Sequence, residues 1–208
     1  MTLPMQRAQA TRATLATLLA CATPAHATPV TLTFTDAAGQ PVADAVVMLE
    51  ATAAKPPVKP MATVEISQAK RQFNPQLTVI TVGTPVTFPN FDTVRHHVYS
   101  FSPVKTFELK LYAGVPNAPI VFDKPGAAVL GCNIHDSMAA WVLVLDTPWY
   151  ARSDAAGKAR IDNVPAGAYR MRLWHAGLGP ATEPAPQALA VGAAALELAA
   201  KLAVSATP

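Results

Sequence analysis

Residues 132–138 read Cys132-Asn133-Ile134-His135-Asp136-Ser137-Met138, placing a thiol, an imidazole and a thioether on one short stretch. Thiolate and thioether are soft ligands and imidazole is borderline. That set selects copper, with a second histidine completing a trigonal His2Cys plane and the methionine as a weak axial ligand. Zinc is served less well, because structural zinc sites gather four Cys or His ligands. A catalytic cysteine with His135 as base is a further reading, but such partners usually stand far apart in sequence and no third group here would orient the base. Singly, each residue has a plain explanation: a buried Cys as inert packing, a His facing solvent, a Met filling the core. Their spacing on one loop argues against coincidence.

The second histidine is available in Asn90-Phe91-Asp92-Thr93-Val94-Arg95-His96-His97-Val98. In a strand, His96 and His97 point to opposite faces. Val98 on one side and Tyr99 with Phe101 on the other are all apolar, so alternation does not choose between the two histidines.

The elements that must position these residues read as strands. Thr31, Thr33 and Thr35 alternate with Leu32 and Phe34, the turn Asp36-Ala37-Ala38-Gly39-Gln40-Pro41 follows, and Ala45 to Glu50 makes a second strand, together predicting a hairpin. Lys55-Pro56-Pro57-Val58-Lys59-Pro60 interrupts any ladder, since proline lacks a donor. Residues 63–68, 77–82, 86–88, 95–101, 106–111, 120–122, 127–131 and 141–145 are further strand candidates. So many short strands in so little chain point to a β-sandwich or Greek-key barrel. A later unit has a turn at Ser153-Asp154-Ala155-Ala156-Gly157-Lys158, nearly repeating Thr35-Asp36-Ala37-Ala38-Gly39, then strands at 159–164 and 169–175. The Ala-rich stretch from Gln187 to Val204 has helix formers, but Leu196 and Leu198 fit strand alternation and the rest of the chain favours strand.

At 208 residues, 51% hydrophobic and only 14% charged, the chain can bury a core and is not a disordered one. Residues 1–27 read as a secretory signal peptide: Arg7 and Arg12 give a positive start, Ala13 to Ala22 an apolar run too short to span a bilayer, and Ala25-His26-Ala27 a cleavage site. Leu18-Leu19-Ala20-Cys21 loosely resembles a lipobox, but a lipid anchor at Cys21 is the weaker reading. Cleavage after Ala27 lowers the formal charge from +3 to +1 and leaves Cys132 as the only thiol. In an oxidising compartment a lone thiol is buried, paired between chains, catalytic or metal-bound. The scattered lysines and arginines form no basic block, so nucleic acid is not an expected partner, and no later segment is a transmembrane span.

The upstream Asn-x-Asp-x-x-x-His-x-Val stretch and the Cys-x2-His loop closed by methionine resemble a cupredoxin of the plastocyanin and amicyanin kind, over about residues 62–146. The two-residue gap between His135 and Met138 is similar to the short amicyanin loop. The resemblance implies a Greek-key β-sandwich binding one type 1 copper ion, with His96, Cys132 and His135 as equatorial ligands and Met138 as the axial one. It puts His97 where plastocyanins often carry an asparagine that braces the cysteine loop. The flanks, Asp36 to Leu49 and Asp154 to Arg170, resemble a carboxypeptidase-regulatory, transthyretin-like β-sandwich. The whole layout resembles that of methylamine utilization proteins, which says little of substrate.

The expected organisation is a signal peptide at 1–27, first strands of a transthyretin-like module at 28–61, a cupredoxin domain at 62–146 and the rest of the module at 147–208. The module is either interrupted by the cupredoxin or follows it. The expected fold class is all-β. The expected function is periplasmic single-electron transfer, with a c-type cytochrome or a quinoprotein dehydrogenase as partner, and the expected location, through the signal peptide, is periplasmic or secreted. A copper-binding scaffold or carbohydrate- or protein-binding module is the alternative, with Trp149, Tyr150 and Trp174 as an exposed aromatic surface or as core; copper storage or delivery is another. An enzyme would need a second copper centre, and with His97 and His175 the only spare histidines after export one chain cannot build a three-histidine site, so no enzyme is expected. His175 is expected at the surface.

Overall fold

The computed structural model describes residues 27–135, 137–178 and 184–204. The expected signal peptide, apart from Ala27, and Cys21 lie outside the described residues. Among the described residues the chain is all-β, with seventeen strands: β1 Thr28–Thr35, β2 Val46–Ala51, β3 Val64–Glu65, β4 Ser67–Ala69, β5 Gln72–Asn74, β6 Leu77–Thr81, β7 Thr84–Thr87, β8 His96–Ser102, β9 Lys105–Tyr112, β10 Ile120–Phe122, β11 Gly126–Gly131, β12 Ala139–Leu145, β13 Trp149–Arg152, β14 Lys158–Val164, β15 Gly167–Trp174, β16 Gln187–Val191 and β17 Leu196–Lys201. No described helix is long and apolar enough to cross a membrane.

Two sandwiches result. One pairs sheet β14-β1-β17 with sheet β13-β2-β15-β16, so strands from both sides of the middle segment share sheets. Its core holds Val30, Leu32 and Phe34 from β1, Val47 and Leu49 from β2, and Tyr169, Met171 and Leu173 from β15. The middle sandwich packs sheet β10-β7-β3 against sheet β6-β12-β11-β8-β9, with a small β4-β5 hairpin beside them. Ile66, Phe73, Phe88, Val98, Phe122, Leu130, Val142 and Val144 fill it.

The expected β1–β2 hairpin is not formed. The turn does reverse the chain, with Asp36 Oδ1 accepting the Gln40 amide at 2.8 Å and Gly39 at φ 81°. The chain then leaves the ladder after the Thr35–Pro41 bridge, passes Asp44 at φ 64°, and enters the opposite sheet. Both faces of β2 find apolar partners there, which a two-stranded ribbon does not offer. The turn at Asp154 repeats the bonding of the first: Asp154 N donates to Lys158 O, and Asp36 N to Gln40 O, both at 2.9 Å. Gly157, at φ 74°, has no room for a side chain, since a Cβ would lie 2.4 Å from Phe34 O.

The sandwiches meet through Val46, Met48, Leu77, Leu143, Leu145 and Trp174. Alternation explains this joint: β2 and β12 each send one row of side chains into their own core and the other row into the contact. Trp174 meets Trp141 edge-on at 5.5 Å, and Trp149 meets Tyr169 at 5.4 Å. The three aromatics considered as an exposed surface are therefore core and joint residues, Trp174 being 4% exposed. His175 is also buried: its Nε2 donates to Ala43 O at 3.1 Å and its Nδ1 accepts the Gly177 amide at 2.9 Å. β5 and β13 are strands that the sequence pattern did not reveal.

Candidate metal centre

His96 opens β8, Cys132 follows the last residue of β11, and Met138 precedes β12, all at one end of the middle sandwich. β8 and β11 are neighbours, with Gly131 opposite Tyr99. A Cβ at Gly131 would come within 2.6 Å of the Tyr99 ring, so only glycine lets that ring lie across the strand that delivers Cys132. The loop between Cys132 and Met138 is pinned by Met138 N donating to His135 O at 2.9 Å and by Ile134 N donating to Cys132 Sγ at 3.4 Å.

One ligand atom each from His96, Cys132 and His135 lies within 4.8 Å of the others. Cys132 is free and buried, and its Sγ is 3.8 Å from His96 Nδ1. The His96 and His135 rings meet edge-on at 5.2 Å. His135 Nδ1 is buried without a hydrogen-bond partner. A buried polar atom left without a partner carries a desolvation cost, and a cation held jointly with Cys132 and His96 would remove it. The donor set therefore fits a copper ion chemically and geometrically. Met138, expected as the axial ligand, is 1% exposed and lines the same open groove of about 430 Å³ as Cys132.

His96 owes its orientation to Asp92. Its Nε2 lies 2.8 Å from Asp92 Oδ2, so the proton sits on Nε2 and the Nδ1 lone pair is left for a cation, an arrangement that fixes tautomer and ring plane. The same carboxylate accepts the Lys70 amide at 2.7 Å and the Arg71 amide at 2.9 Å. The Arg71 amide has the largest effect on the Asp92 carboxyl and lowers it; burial, next in size, opposes it, and the His96 imidazole and the Lys70 amide add to the lowering, so the carboxyl is held below its usual range. Asn90 shapes the segment: its Nδ2 donates to Val94 O at 2.9 Å and Tyr112 O at 3.0 Å, while its Oδ1 accepts the Asp92 amide at 2.9 Å. Beneath lies Tyr112, whose hydroxyl donates to Phe88 O at 2.6 Å and accepts from Gln68 Nε2. Burial pushes Tyr112 up to about 12.

His97 is on the other face of β8 and outside the cluster. Asn133 Nδ2 donates to its Nδ1 at 2.9 Å. Its Nε2 is 3.0 Å from Glu108 Oε1, near enough for an ion pair when the ring is protonated, yet not aligned as a hydrogen bond. His97 thus touches the residue next to Cys132.

The motif residues Asn90 and Asp92 were legible as letters, but their jobs were not. Asp92, four residues before His96, could have been found as a carboxylate that orients a ligand. Glu108, Gln68 and the Lys70–Arg71 turn leave no such signal, because chain-distant elements bring them here.

No protein-family model matches the sequence, and no curated protein matches it. Among solved structures, the copper-containing nitrite reductase of Thermus scotoductus SA-01 is 27% identical over 47% of this chain and 25% of its own, with TM-score 0.38. This chain thus spans about a quarter of that enzyme's length. A variant of amicyanin in its reduced Cu(I) form is 17% identical over 48% of this chain and 98% of its own, with TM-score 0.37. A purple cupredoxin from Nitrosopumilus maritimus is 23% identical over 41% of this chain and all of its own, with TM-score 0.35.

Proposed function

We propose that this protein binds one copper ion as a type 1 centre and passes single electrons in an oxidising, periplasmic compartment. The observation that carries this reading is the convergence of one ligand atom each from His96, Cys132 and His135 within 4.8 Å, with His135 Nδ1 buried and unpartnered. When bound there, copper supplies a one-electron couple whose potential depends on the cysteine sulfur's surroundings and the axial ligand. His96, Cys132 and His135 would hold the ion, with the Met138 thioether as a further donor. Asp92 sets the His96 ring, the Ile134 amide bonds the sulfur, and the packed core beneath limits water. A rigid, preset ligand frame lets an ion change charge without rearranging its surroundings, which suits a carrier.

A carrier is favoured over an enzyme because the remaining described histidines are engaged elsewhere, His97 with Asn133 and His175 with Ala43 and Gly177. The signal peptide expected from the sequence of residues 1–27 favours that compartment. The flanking sandwich, which the sequence likens to transthyretin-like modules, is proposed as a scaffold that shields one face of the copper unit.

The test is to add Cu(II) to the purified protein and record visible and electron paramagnetic spectra. An intense thiolate-to-copper charge-transfer band is expected in the wild type and absent in Cys132→Ser. His96→Ala is expected to abolish it and His97→Ala to retain it. A wild-type protein without the band would overturn the type 1 reading, and the reverse order for the two histidines would overturn the ligand choice.

A further inference from the structure

The two rows of side chains that the flanking sandwich turns toward the joint change character along their length. In β2 the row is Val46, Met48 and Glu50, and opposite it in β15 are Trp174, Arg172 and Arg170. Strand alternation puts each set on one face. At the Val46 and Trp174 end the rows are apolar and pack against Leu143 and Leu145 of β12. At the Glu50 and Arg170 end they are charged, and the packing gives way to a cleft of about 260 Å³. Ala127 of β11 and Leu143 of β12 form its other wall. Lys55 and Asp146, paired at 2.7 Å and open to solvent, also line it.

Glu50 is the unusual residue. Its side chain is 7% exposed, and a carboxylate withdrawn from water needs charge and hydrogen bonds around it. Arg170 supplies both, its Nε and Nη2 donating to Oε2, and Arg172 Nη1 donates to Oε1 at 3.3 Å. Apolar residues would hold a joint at least as well as such a cluster, and protein interiors are normally close-packed. Here the packing stops and fixed charges begin. Among the described residues that line the cleft, Lys55, Arg170 and Arg172 stand against Glu50 and Asp146, which leaves one positive charge in excess. Arg170 Nη1 makes no hydrogen bond among the described residues, and Lys55 Nζ, bonded to Asp146, keeps further protons to donate.

We propose that this cleft between the sandwiches binds a small organic carboxylate with an apolar, single-ring body. The carboxylate meets Arg170 and Lys55, a guanidinium and an ammonium with donors to spare, and the ring lies against Met48, Leu143 and Trp174. Apolar walls with a few placed charged groups are the make-up of small-molecule sites, whose volumes start at about 300 Å³, so the cleft limits its ligand to about one ring. A single negative charge matches the excess of the lining, whereas an amine would add to it. The site is remote from the metal end: β11 leaves the cleft at Gly126, and Cys132 follows its last residue, about 20 Å away along an extended strand.

The test uses the copper-free protein and phenylacetate as probe, followed by tryptophan fluorescence and amide signals. Saturable binding is expected, with shifts at Glu50, residues 143–145, Arg170 and Trp174. Phenylacetamide, which lacks the charge, and acetate, which lacks the ring, should each bind more weakly by about tenfold or more, and 2-phenylethylamine should not bind. Ala127→Leu fills the cleft while keeping every charge and should abolish binding. Arg170→Gln alone strands a buried carboxylate, so it is made together with Glu50→Gln, and the pair should weaken phenylacetate by about tenfold or more. Lys158→Gln with Lys201→Gln, two exposed cations of the opposite sheet, should leave binding unchanged. Phenylacetamide or 2-phenylethylamine binding as tightly as phenylacetate, full binding in Ala127→Leu, shifts centred outside the cleft, or no saturable binding would each overturn the proposal. No readout here needs copper, so this outcome and that of the charge-transfer band are independent.

Discussion

At the joint between the sandwiches, Val46, Met48, Leu77, Leu143, Leu145 and Trp174 meet side chain to side chain. At the metal end, where the same strand β12 begins, the positions of the ligands depend on directed contacts: Asp92 on His96 and Asn90 on Val94 in the segment before β8, and Asn133 on His97 from the loop before β12. Apolar burial is non-directional and grows with area, so the joint supplies cohesion. Hydrogen bonds add little net stability but fix orientation. Substitutions at the two places should therefore separate stability from ligand geometry.

The largest expected effect is at the joint. Trp174→Ala removes a side chain that is 4% exposed and packs on Trp141, and should lower the unfolding free energy by about 3–5 kcal/mol. Urea unfolding measures this. While the protein stays folded, the copper spectrum should be that of the wild type. A spectrum that changes in proportion to the stability loss would show that the two regions are not separable.

Next comes Asp92→Asn. The amide can keep one backbone contact but loses the charge that holds the His96 proton, and loss of such a partner typically costs 10–100-fold in metal affinity, about 1.4–2.7 kcal/mol by the same ratio. Competition with a copper chelator gives the affinity, and thermal unfolding of the copper-free form should move little. An unfolding loss as large as that of Trp174→Ala would make Asp92 a structural residue first.

The metal end was the more legible region in the sequence, since Cys132, His135 and His96 sit in short motifs whose chemistry restricts what they can do. Strand alternation likewise showed most of the β elements. What failed was whatever depends on a partner from far along the chain. The Asp36–Gly39 turn was visible, but which sheet receives β2 depends on β13 and β15, over a hundred residues on. Trp174 looked the same as a surface or a joint residue until β12 was placed opposite it. His175 looked like a strand-end surface residue because its partner, Ala43 O, belongs to the crossing between sheets.

His175 also yields a pH prediction that belongs to the apolar region alone. Burial lowers its pKa below the usual value, against smaller opposing effects of the Ala43 carbonyl and Asp44. The unfolded chain therefore takes the proton first, so the native state is fully favoured above about pH 6.5 and loses stability as the pH falls from there through the folded value. The urea midpoint should drop between pH 7.5 and 5.5, and His175→Gln, which keeps a donor for Ala43 O, should reduce that drop. An unchanged slope in the variant would assign the acid limb to other groups.

The smallest expected effect separates the two adjacent histidines. His97 Nε2 is close to Glu108 but poorly aligned with it, and Glu108 is 44% exposed. Exposed pairs of this kind contribute about 0–1 kcal/mol, whereas His96 is fully buried and its partner Asp92 only 17% exposed. Glu108→Gln should therefore shift the unfolding free energy by less than about 0.5 kcal/mol and leave the copper spectrum as it is. The side of His97 that matters is Nδ1, because the Asn133 amide it accepts adjoins Cys132. If Glu108→Gln disturbed the spectrum as much as Asp92→Asn, orientation would be reaching the sulfur through the outer histidine as strongly as through the inner one. The distinction between a ligand held by a buried carboxylate and a neighbour beside an exposed one would then have to be given up.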